Sequence, residues 1–146
     1  MAIKNQKIYL DTCIWIYLLE GYAEYSSQLK ELSTYIQDTN TQIYTSDLTL
    51  SEILVKPFQL ARKDLQDLYK NIFCNSKLVN CISINQEILI KAASIKAEYK
   101  FKLPDAIHLS SAFSNLCIYF ITNDIQLQKY PDVKVVLIDE LYKIGE

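Results

Sequence analysis

The sequence contains few of the residues that interrupt a chain. Its 146 residues include only two glycines and three prolines. The chain therefore shows no linker, internal repeat or low-complexity segment. A chain of this length can bury roughly two thirds of the surface that its unfolded form exposes. We predict one domain spanning residues 1–146.

Long apolar runs are also missing. The longest, residues 13–19, is about a third of the roughly 20 residues that a transmembrane helix needs. The N-terminal stretch MAIKNQK is followed by too short an apolar segment for a signal peptide. We therefore expect a soluble, cytoplasmic protein with no membrane partner.

Soft metal ligands and positive charge are scarce. Cys13, Cys74, Cys81 and Cys117 form no C-x-x-C pair, so the sequence suggests neither a zinc site nor a disulfide framework. We expect them to be small buried residues in a reducing compartment. Seventeen acids against fifteen bases give a net charge of −2, and Arg62 is the single arginine. This is not the composition of a protein that binds nucleic acid by bulk charge.

The hydrophobic pattern predicts an α/β fold. Short apolar runs rich in β-branched and aromatic residues predict strands at 8–10, 43–45, 78–82, 117–121 and 133–138. Helical spacing predicts helices over 26–38, 46–57, 60–73, 85–99 and 104–116. Strands that alternate with helices pair in parallel through right-handed crossovers. The expected architecture is a three-layer α/β/α, Rossmann-like domain with a central parallel sheet of about five strands.

Two carboxylates directly follow predicted strands. Asp11 ends the stretch KIYLD of residues 7–11, and Asp124 ends the stretch ITND of residues 121–124. In an open parallel sheet, functional groups gather beyond the carboxyl ends of the strands, so both acids would lie at one edge. Taken singly, each residue type is more often a helix cap or a turn former.

Two further acids lie on predicted helices. Glu52 belongs to SDLTLSEILVKP, whose helix is apolar nearly all round, so its charge needs a partner and a lysine is the simplest one. Asp105 follows Pro104 in the first turn of the predicted helix over 104–116, where the helix dipole favours an anion. His108, one turn later, is expected to be packed or hydrogen-bonded, because no nucleophile motif accompanies it.

Together the four acids point to a metal. A parallel fold would bring them to one edge, and two carboxylates about 4 Å apart repel by roughly 4 kcal/mol at an effective dielectric constant of 20. Protonation or lysines could relieve this repulsion, but a divalent cation does so most directly. Oxygen ligands without cysteine or histidine indicate Mg²⁺ or Mn²⁺, which serve phosphate chemistry.

The motifs resemble those of a known family. They are DT at 11–12, LLEG at 18–21, SE at 51–52, LPDAIHLSSA at 103–112 and ITND at 121–124. In this order and spacing they resemble the PIN-domain ribonucleases, and they are most similar to the VapC-like toxins of type II toxin–antitoxin systems. The resemblance implies a Mg²⁺- or Mn²⁺-dependent endoribonuclease.

The resemblance also implies roles for residues and partners. The family's acidic quartet maps onto catalytic residues, and three hydroxyl or amide residues map onto supporting positions: Asp11, Glu52, Asp105 and Asp124; Thr12, Thr122 and Asn123. Asp11, Asp105 and Asp124 would hold the metal, while Glu52 would bind a second ion or position the attacking water. The family usually cleaves RNA, often tRNA, forms homodimers and is inhibited by a cognate antitoxin protein. The nearest cations for an RNA are Lys56, Arg62, Lys63, Lys100 and Lys102.

Two other classes remain open. A PIN-like module could bind RNA or a protein without catalysis and keep its acids for structure. A phosphotransfer domain also places an aspartate after its first strand. However, the haloacid-dehalogenase-like pattern needs a second aspartate where Cys13 stands, and the receiver pattern needs one after the third strand, where the chain reads SINQE.

Overall fold

Five parallel strands form the centre of the molecule. The computed structural model describes residues 6–75 and 77–145. The strands are β1 (Lys7–Leu10), β2 (Gln42–Ser46), β3 (Asn80–Ile82), β4 (Tyr119–Thr122) and β5 (Lys134–Leu137). Their order is β3-β2-β1-β4-β5, and every neighbouring pair is parallel. The predicted α/β fold with a central parallel sheet of about five strands is confirmed.

Six α-helices cover the sheet. They are α1 (Thr12–Glu20), α2 (Ser26–Thr39), α3 (Asp47–Gln59), α4 (Lys63–Lys70), α5 (Gln86–Tyr99) and α6 (Leu103–Ser114). Short 3₁₀ helices at Ala23–Tyr25, Ile125–Lys129 and Ile138–Lys143 and a π-helical turn at Asn71–Asn75 complete the described secondary structure. No helix of residues 6–75 and 77–145 has the length and apolar character needed to cross a membrane.

The sheet separates two apolar cores. Side chains alternate along a strand, so Ile8 and Leu10 pack with helices α1–α4, whereas Tyr9 between them packs with α5 and α6. In β4, Ile121 and Phe120 divide in the same way. The rings of Tyr9 and Phe120 stack with their centroids 5.1 Å apart. Each strand at the centre of the sheet therefore supports both helical layers.

The predicted helix over 60–73 begins later than expected. Ala61 has a φ of +51°, which interrupts the chain between α3 and α4, so α4 starts at Lys63. Tyr69 and Phe73 then occupy the core, and Leu68 is 48% exposed.

The cysteines are all free but differ in burial. Cys117 is buried, Cys13 and Cys81 are partly buried, and Cys74 is exposed. The expectation of a small buried residue therefore holds for Cys117 and is wrong for Cys74, which lies on the surface of the π-helical turn.

Two neighbouring strand ends position the acids. The backbone N–H of Asp11 donates to the carbonyl of Ile121 at 3.0 Å and so extends the β1–β4 ladder by one residue. Asp11 is the residue before α1, Thr122 is the last residue of β4, and Asp124 lies two residues further on. The two carboxylates predicted to share an edge therefore lie just beyond the ends of two adjacent strands.

Candidate active site

A cleft of about 450 Å³ collects the predicted acids. Its walls are formed by Asp11, Thr12, Cys13, Tyr17, Glu52, Lys102, Pro104, Asp105, Asn123 and Asp124. The four carboxylates come from the end of β1, from α3, from the first turn of α6 and from the turn after β4. Two larger cavities, of about 580 and 540 Å³, run beside α2, and their mainly apolar walls contain none of the four predicted acids.

Asp11 is held in one orientation by two hydrogen bonds. Its side chain is almost fully buried at 7% exposure. Oδ1 accepts from the backbone N–H of Thr12 at 2.8 Å, and Oδ2 accepts from the hydroxyl of Thr122 at 2.7 Å. The two bonds, one to each oxygen, restrict rotation of the carboxylate. Asp11 thus serves as the cap of α1 and also presents an oriented carboxylate to the cleft.

Glu52 has a histidine as its partner. Oε1 accepts from the hydroxyl of Thr12 at 2.7 Å and from His108 Nε2 at 2.6 Å. The expectation of a lysine was wrong, because the nearest lysine in α3, Lys56, pairs with Glu20 at 3.5 Å instead. Burial tends to raise the pKa of Glu52, but the hydrogen bonds and the charge of His108 outweigh it and hold the pKa below its usual value.

His108 is locked between two elements. It is 1% exposed, and its Nδ1 lies 2.6 Å from the hydroxyl of the buried Tyr9. Burial tends to lower the pKa of His108, but the hydrogen bond to Glu52 and the charge of Asp11, 3.8 Å away, raise it overall. The prediction of a hydrogen-bonded histidine is confirmed. The sequence analysis did not predict the hydrogen bond between His108 and Glu52. The signal was present, because His108 lies one turn after Asp105 and so on the same side of α6, which faces the cleft.

A row of buried hydroxyls supports this wall. The Thr49 hydroxyl lies 3.1 Å from the hydroxyl of Thr12 and 2.7 Å from that of Thr45. Thr45 donates in turn to the carbonyl of Leu10 at 3.1 Å. The start of α3 is therefore connected to the end of β1 through side chains that the sequence motifs did not single out.

Asp105 and Asp124 form the more open side of the cleft. Burial, together with the charges of Asp11 and Asp124, raises the pKa of Asp105 to about 6. In the part of the chain that the structure describes, no hydrogen bond to the Asp105 carboxylate is present. Asp124 Oδ1 accepts from the backbone N–H of Gln126 at 3.0 Å and so starts the next 3₁₀ helix.

Thr122 and Asn123, the two predicted supporting residues at the end of β4, form hydrogen bonds with different parts of the site. The hydroxyl of Thr122 donates to Asp11 and accepts from the backbone N–H of Asp124 at 3.2 Å. The amide of Asn123 instead donates to the hydroxyls of Tyr17 at 3.1 Å and Tyr25 at 2.9 Å. Thr122 thus contacts an acid directly, whereas Asn123 connects the turn to two aromatic rings.

Most of the predicted RNA-facing cations are engaged elsewhere. Lys56, Arg62 and Lys63 form ion pairs with Glu20, Asp64 and Asp67, at distances of 3.5, 2.7 and 3.1 Å. Lys100 ends α5 in an exposed, left-handed conformation. Lys102 is the cation that lines the cleft among the described residues. The cleft is therefore dominated by negative charge.

The donor set fits a hard divalent cation. Within residues 6–75 and 77–145, no three carboxylate, thiol or imidazole groups lie close enough to form a complete metal cage. Mg²⁺ does not need one, since it is usually held by one or two carboxylates and keeps several waters. Asp11 and Asp105 offer carboxylate oxygens in a cleft whose own charges disfavour ionisation of Asp105. A cation would relieve this repulsion.

These features define a class of α/β domains in which the strand ends of a parallel sheet carry a carboxylate-lined cleft. The model of the PIN domain family matches residues 8–133, and the chain belongs to this family. No curated protein matches the chain.

Solved structures share the fold. VapBC2 from Rickettsia felis, bound to a DNA fragment from its promoter, is 15% identical with a TM-score of 0.72, covering 90% of this chain and 98% of that chain. A toxin–antitoxin complex from Klebsiella pneumoniae is 24% identical with a TM-score of 0.64, covering 90% and 97%. Mycobacterium tuberculosis VapC20, a sarcin–ricin loop cleaving toxin, is 14% identical with a TM-score of 0.66, covering 87% and 98%.

Proposed function

We propose that this protein is a Mg²⁺- or Mn²⁺-dependent endoribonuclease and the toxin of a toxin–antitoxin pair. The observation that carries the proposal is the meeting of four carboxylates from four elements in one cleft. The raised pKa of Asp105 indicates that these charges are incompletely compensated by the protein itself. Membership of the PIN family and the similarity in fold to an RNA-cleaving toxin support RNA as the substrate.

Asp11, Asp105 and Asp124 are the residues that would hold the cation, directly or through the waters that it keeps. A divalent ion at this place supplies Lewis-acid polarisation of the scissile phosphate and neutralises its charge. Thr12 and Thr122 fix the Asp11 carboxylate through its two oxygens. Such outer contacts orient metal-binding carboxylates and raise their effectiveness.

Glu52 has the properties of a group that positions a water. Among residues 6–75 and 77–145, both hydrogen bonds of Glu52 go to Oε1, so Oε2 would accept a hydrogen from the attacking water. The lowered pKa of Glu52 keeps the carboxylate ionised near neutral pH. His108 is a positioning residue in this scheme, because it contacts Glu52 and is itself too deeply buried to reach an RNA.

Protein partners are part of the proposal. The neighbours in fold include toxin–antitoxin complexes, and we infer a cognate antitoxin for this chain as well. Val55, Phe58 and Leu60, at the end of α3, are 53–57% exposed. Exposed apolar side chains that lie this close together are typical of a protein interface.

We also propose a homodimer, which sedimentation velocity of the purified protein would detect.

The first experiment is cleavage of total tRNA by the purified, antitoxin-free protein. It compares Mn²⁺, Mg²⁺ and EDTA, and it includes Asp11→Asn beside Asp38→Asn, which changes an exposed carboxylate on α2. We expect metal-dependent fragments from the wild type and from Asp38→Asn, and a loss of roughly 10²–10³-fold for Asp11→Asn. Equal cleavage by Asp11→Asn, folded as judged by circular dichroism, would contradict the assignment.

A second candidate is a non-catalytic PIN-like module. It is favoured by the absence of a ready-made metal cage among the described residues. Titration with Mn²⁺ separates the two, because a nuclease of this kind is stabilised by the ion through mass action. If Mn²⁺ raises the melting temperature of the wild type but not of Asp11→Asn, the nuclease is supported. No shift in either protein supports the module.

A further inference from the structure

Three tyrosine rings stack at the rim of the cleft. Tyr17 lines the cleft, and its ring stacks on that of Tyr25 at a centroid distance of 4.6 Å, with an angle of 28° between the ring planes. The ring of Tyr22 is tilted against Tyr17 at 4.9 Å, and its side chain is 36% exposed. The three rings form a continuous aromatic surface that runs from the cleft wall to solvent. We call it the tyrosine platform.

The local sequence explains how the platform forms. Gly21 ends α1 with a φ of +67°, a left-handed conformation that glycine adopts without strain. The backbone N–H groups of Gly21 and Tyr22 both donate to the carbonyl of Tyr17, at 3.0 and 3.2 Å. This closed turn brings Tyr22 back beside Tyr17, and Tyr25, which ends the next 3₁₀ helix, packs against the ring of Tyr17.

The platform is attached to the acidic turn. Asn123 donates one amide hydrogen to the Tyr17 hydroxyl and one to the Tyr25 hydroxyl. Its neighbours in the chain are Thr122, which holds Asp11, and the acid Asp124. Asn123 therefore fixes the rings of Tyr17 and Tyr25 relative to the carboxylates, because it is bonded along the chain to Thr122 and Asp124 and donates a hydrogen bond to each ring's hydroxyl.

Positive charge is scarce along this cleft. Four carboxylates face one lysine, Lys102, along the described walls, and Lys56, Arg62 and Lys63 form surface ion pairs with acids. Stacking of a base on an aromatic side chain contributes about 1–3 kcal/mol per base and does not require positive charge. Aromatic stacking is thus the interaction that this particular rim offers to a nucleic acid.

We propose that the tyrosine platform binds an unpaired base of the RNA beside the scissile phosphate. The proposal rests on the function proposed above, in which RNA is cut in this cleft. The occupant is single-stranded, because the faces of paired bases are covered by their neighbours in an A-form duplex. The enzyme would therefore select loops, bulges or ends rather than helical stems.

Binding is tested without cleavage, by fluorescence anisotropy of a labelled 12-nucleotide single strand in EDTA, with a duplex of the same sequence alongside. Tyr22→Leu removes the most exposed ring, and Tyr22→Phe keeps it. Tyr142→Leu is the matched control, because Tyr142 is 66% exposed and lies in the last 3₁₀ helix. We expect Tyr22→Leu to raise the Kd of the single strand roughly tenfold, and the other two variants to bind like the wild type.

Several results would overturn the proposal. They are a Kd unchanged by Tyr22→Leu, equal binding of strand and duplex, equal weakening by Tyr142→Leu, or no binding by the wild type. A change confined to self-association in sedimentation would assign the platform to contacts between two copies, which also overturns it.

Parallel cleavage assays in Mn²⁺ separate the two proposals. A higher KM with an unchanged kcat for Tyr22→Leu supports both. Cleavage with an unchanged KM retains the nuclease and rejects the platform. Ring-dependent binding without cleavage by the wild type retains the platform and rejects the nuclease.

Discussion

Glu52 and Asp105 lie in the same cleft, yet their surroundings move their pKa values in opposite directions. The pKa of Glu52 is lowered, because donors from Thr12 and His108 outweigh the effect of burial. The pKa of Asp105 is raised to about 6, because burial is joined by the charges of two other acids. Opposite shifts within one site commonly separate groups with different chemical roles.

The two acids differ in whether the protein itself supplies partners for their charge. The Glu52 wall is completed by the protein: His108 is held by Tyr9, and Thr12 is held by Thr49. Such a connected hydrogen-bond network restricts these side chains before any ligand arrives. Asp105 is left with uncompensated charge, which a cation from solution would neutralise in the function proposed above. Three substitutions would sharpen or break this comparison.

The largest effect is expected from removing the partner of Glu52. His108→Ala leaves Glu52 without its strongest donor and removes the histidine partner of the buried Tyr9 hydroxyl. We expect cleavage to fall about 10–100-fold and the free energy of unfolding to fall by about 1–3 kcal/mol. Rates on tRNA and urea titrations measure the two. Tyr9→Phe, which removes one hydrogen bond behind the histidine, should have a smaller effect on cleavage. If Tyr9→Phe reduced cleavage as much as His108→Ala does, the conclusion that Tyr9 acts only by holding His108 in place would be wrong.

Asp105 should destabilise the metal-free protein at neutral pH. Its folded pKa of about 6 lies above the unfolded value of about 3.9, so its contribution to stability is complete below pH 4 and is lost as the pH rises through 6. After discounting for solvent screening, Asp105→Asn should stabilise the domain by about 1–2 kcal/mol at pH 7 in EDTA. Urea titrations at pH 4 and pH 7 measure the effect.

The same titrations include their own control. At pH 4 the wild type and Asp105→Asn should be nearly equal in stability, because the carboxyl group is then protonated. Added Mn²⁺ should stabilise the wild type at pH 7 and remove the advantage of the variant. An equal advantage at both pH values would show that the gain comes from packing rather than from charge.

A smaller effect is expected from loosening Asp11. Thr122→Val keeps the size of the side chain but removes the hydroxyl that donates to Asp11 Oδ2. The loss of one such hydrogen bond is worth about 1 kcal/mol, which corresponds to roughly a fivefold reduction in kcat/KM. Thr122→Ser retains the hydroxyl and should recover most of the activity. A valine variant as active as the wild type would mean that the Thr12 backbone alone orients Asp11.

Sequence patterns predicted the sheet because its signals are local. Apolar, β-branched runs identified all five strands, and the position of Asp11 after β1 and Asp124 after β4 followed from where those runs end. The parallel arrangement then implied that the two acids share an edge. No distances between helices were needed for this step.

The pairing of Glu52 with His108 could not be predicted in the same way. The two residues are 56 positions apart, on α3 and α6, and their contact depends on how two helices approach each other across the end of the sheet. The exposed Leu68 has a similar origin, since the start of α4 is set by a single left-handed residue, Ala61. Asn123 lies in a predicted motif, yet its tyrosine partners come from a turn with no periodic pattern.

The bond between Glu52 and His108 also joins the two halves of the molecule. Glu52 belongs to the helical layer formed by α1–α4, and His108 belongs to the layer formed by α5 and α6. Asp124 is added only when β4 has entered the sheet beside β1. During synthesis on the ribosome, the first hundred residues would therefore carry Asp11 and Glu52 but no complete site. A chain that is still being made therefore lacks part of the proposed site, which is complete only once both layers have assembled.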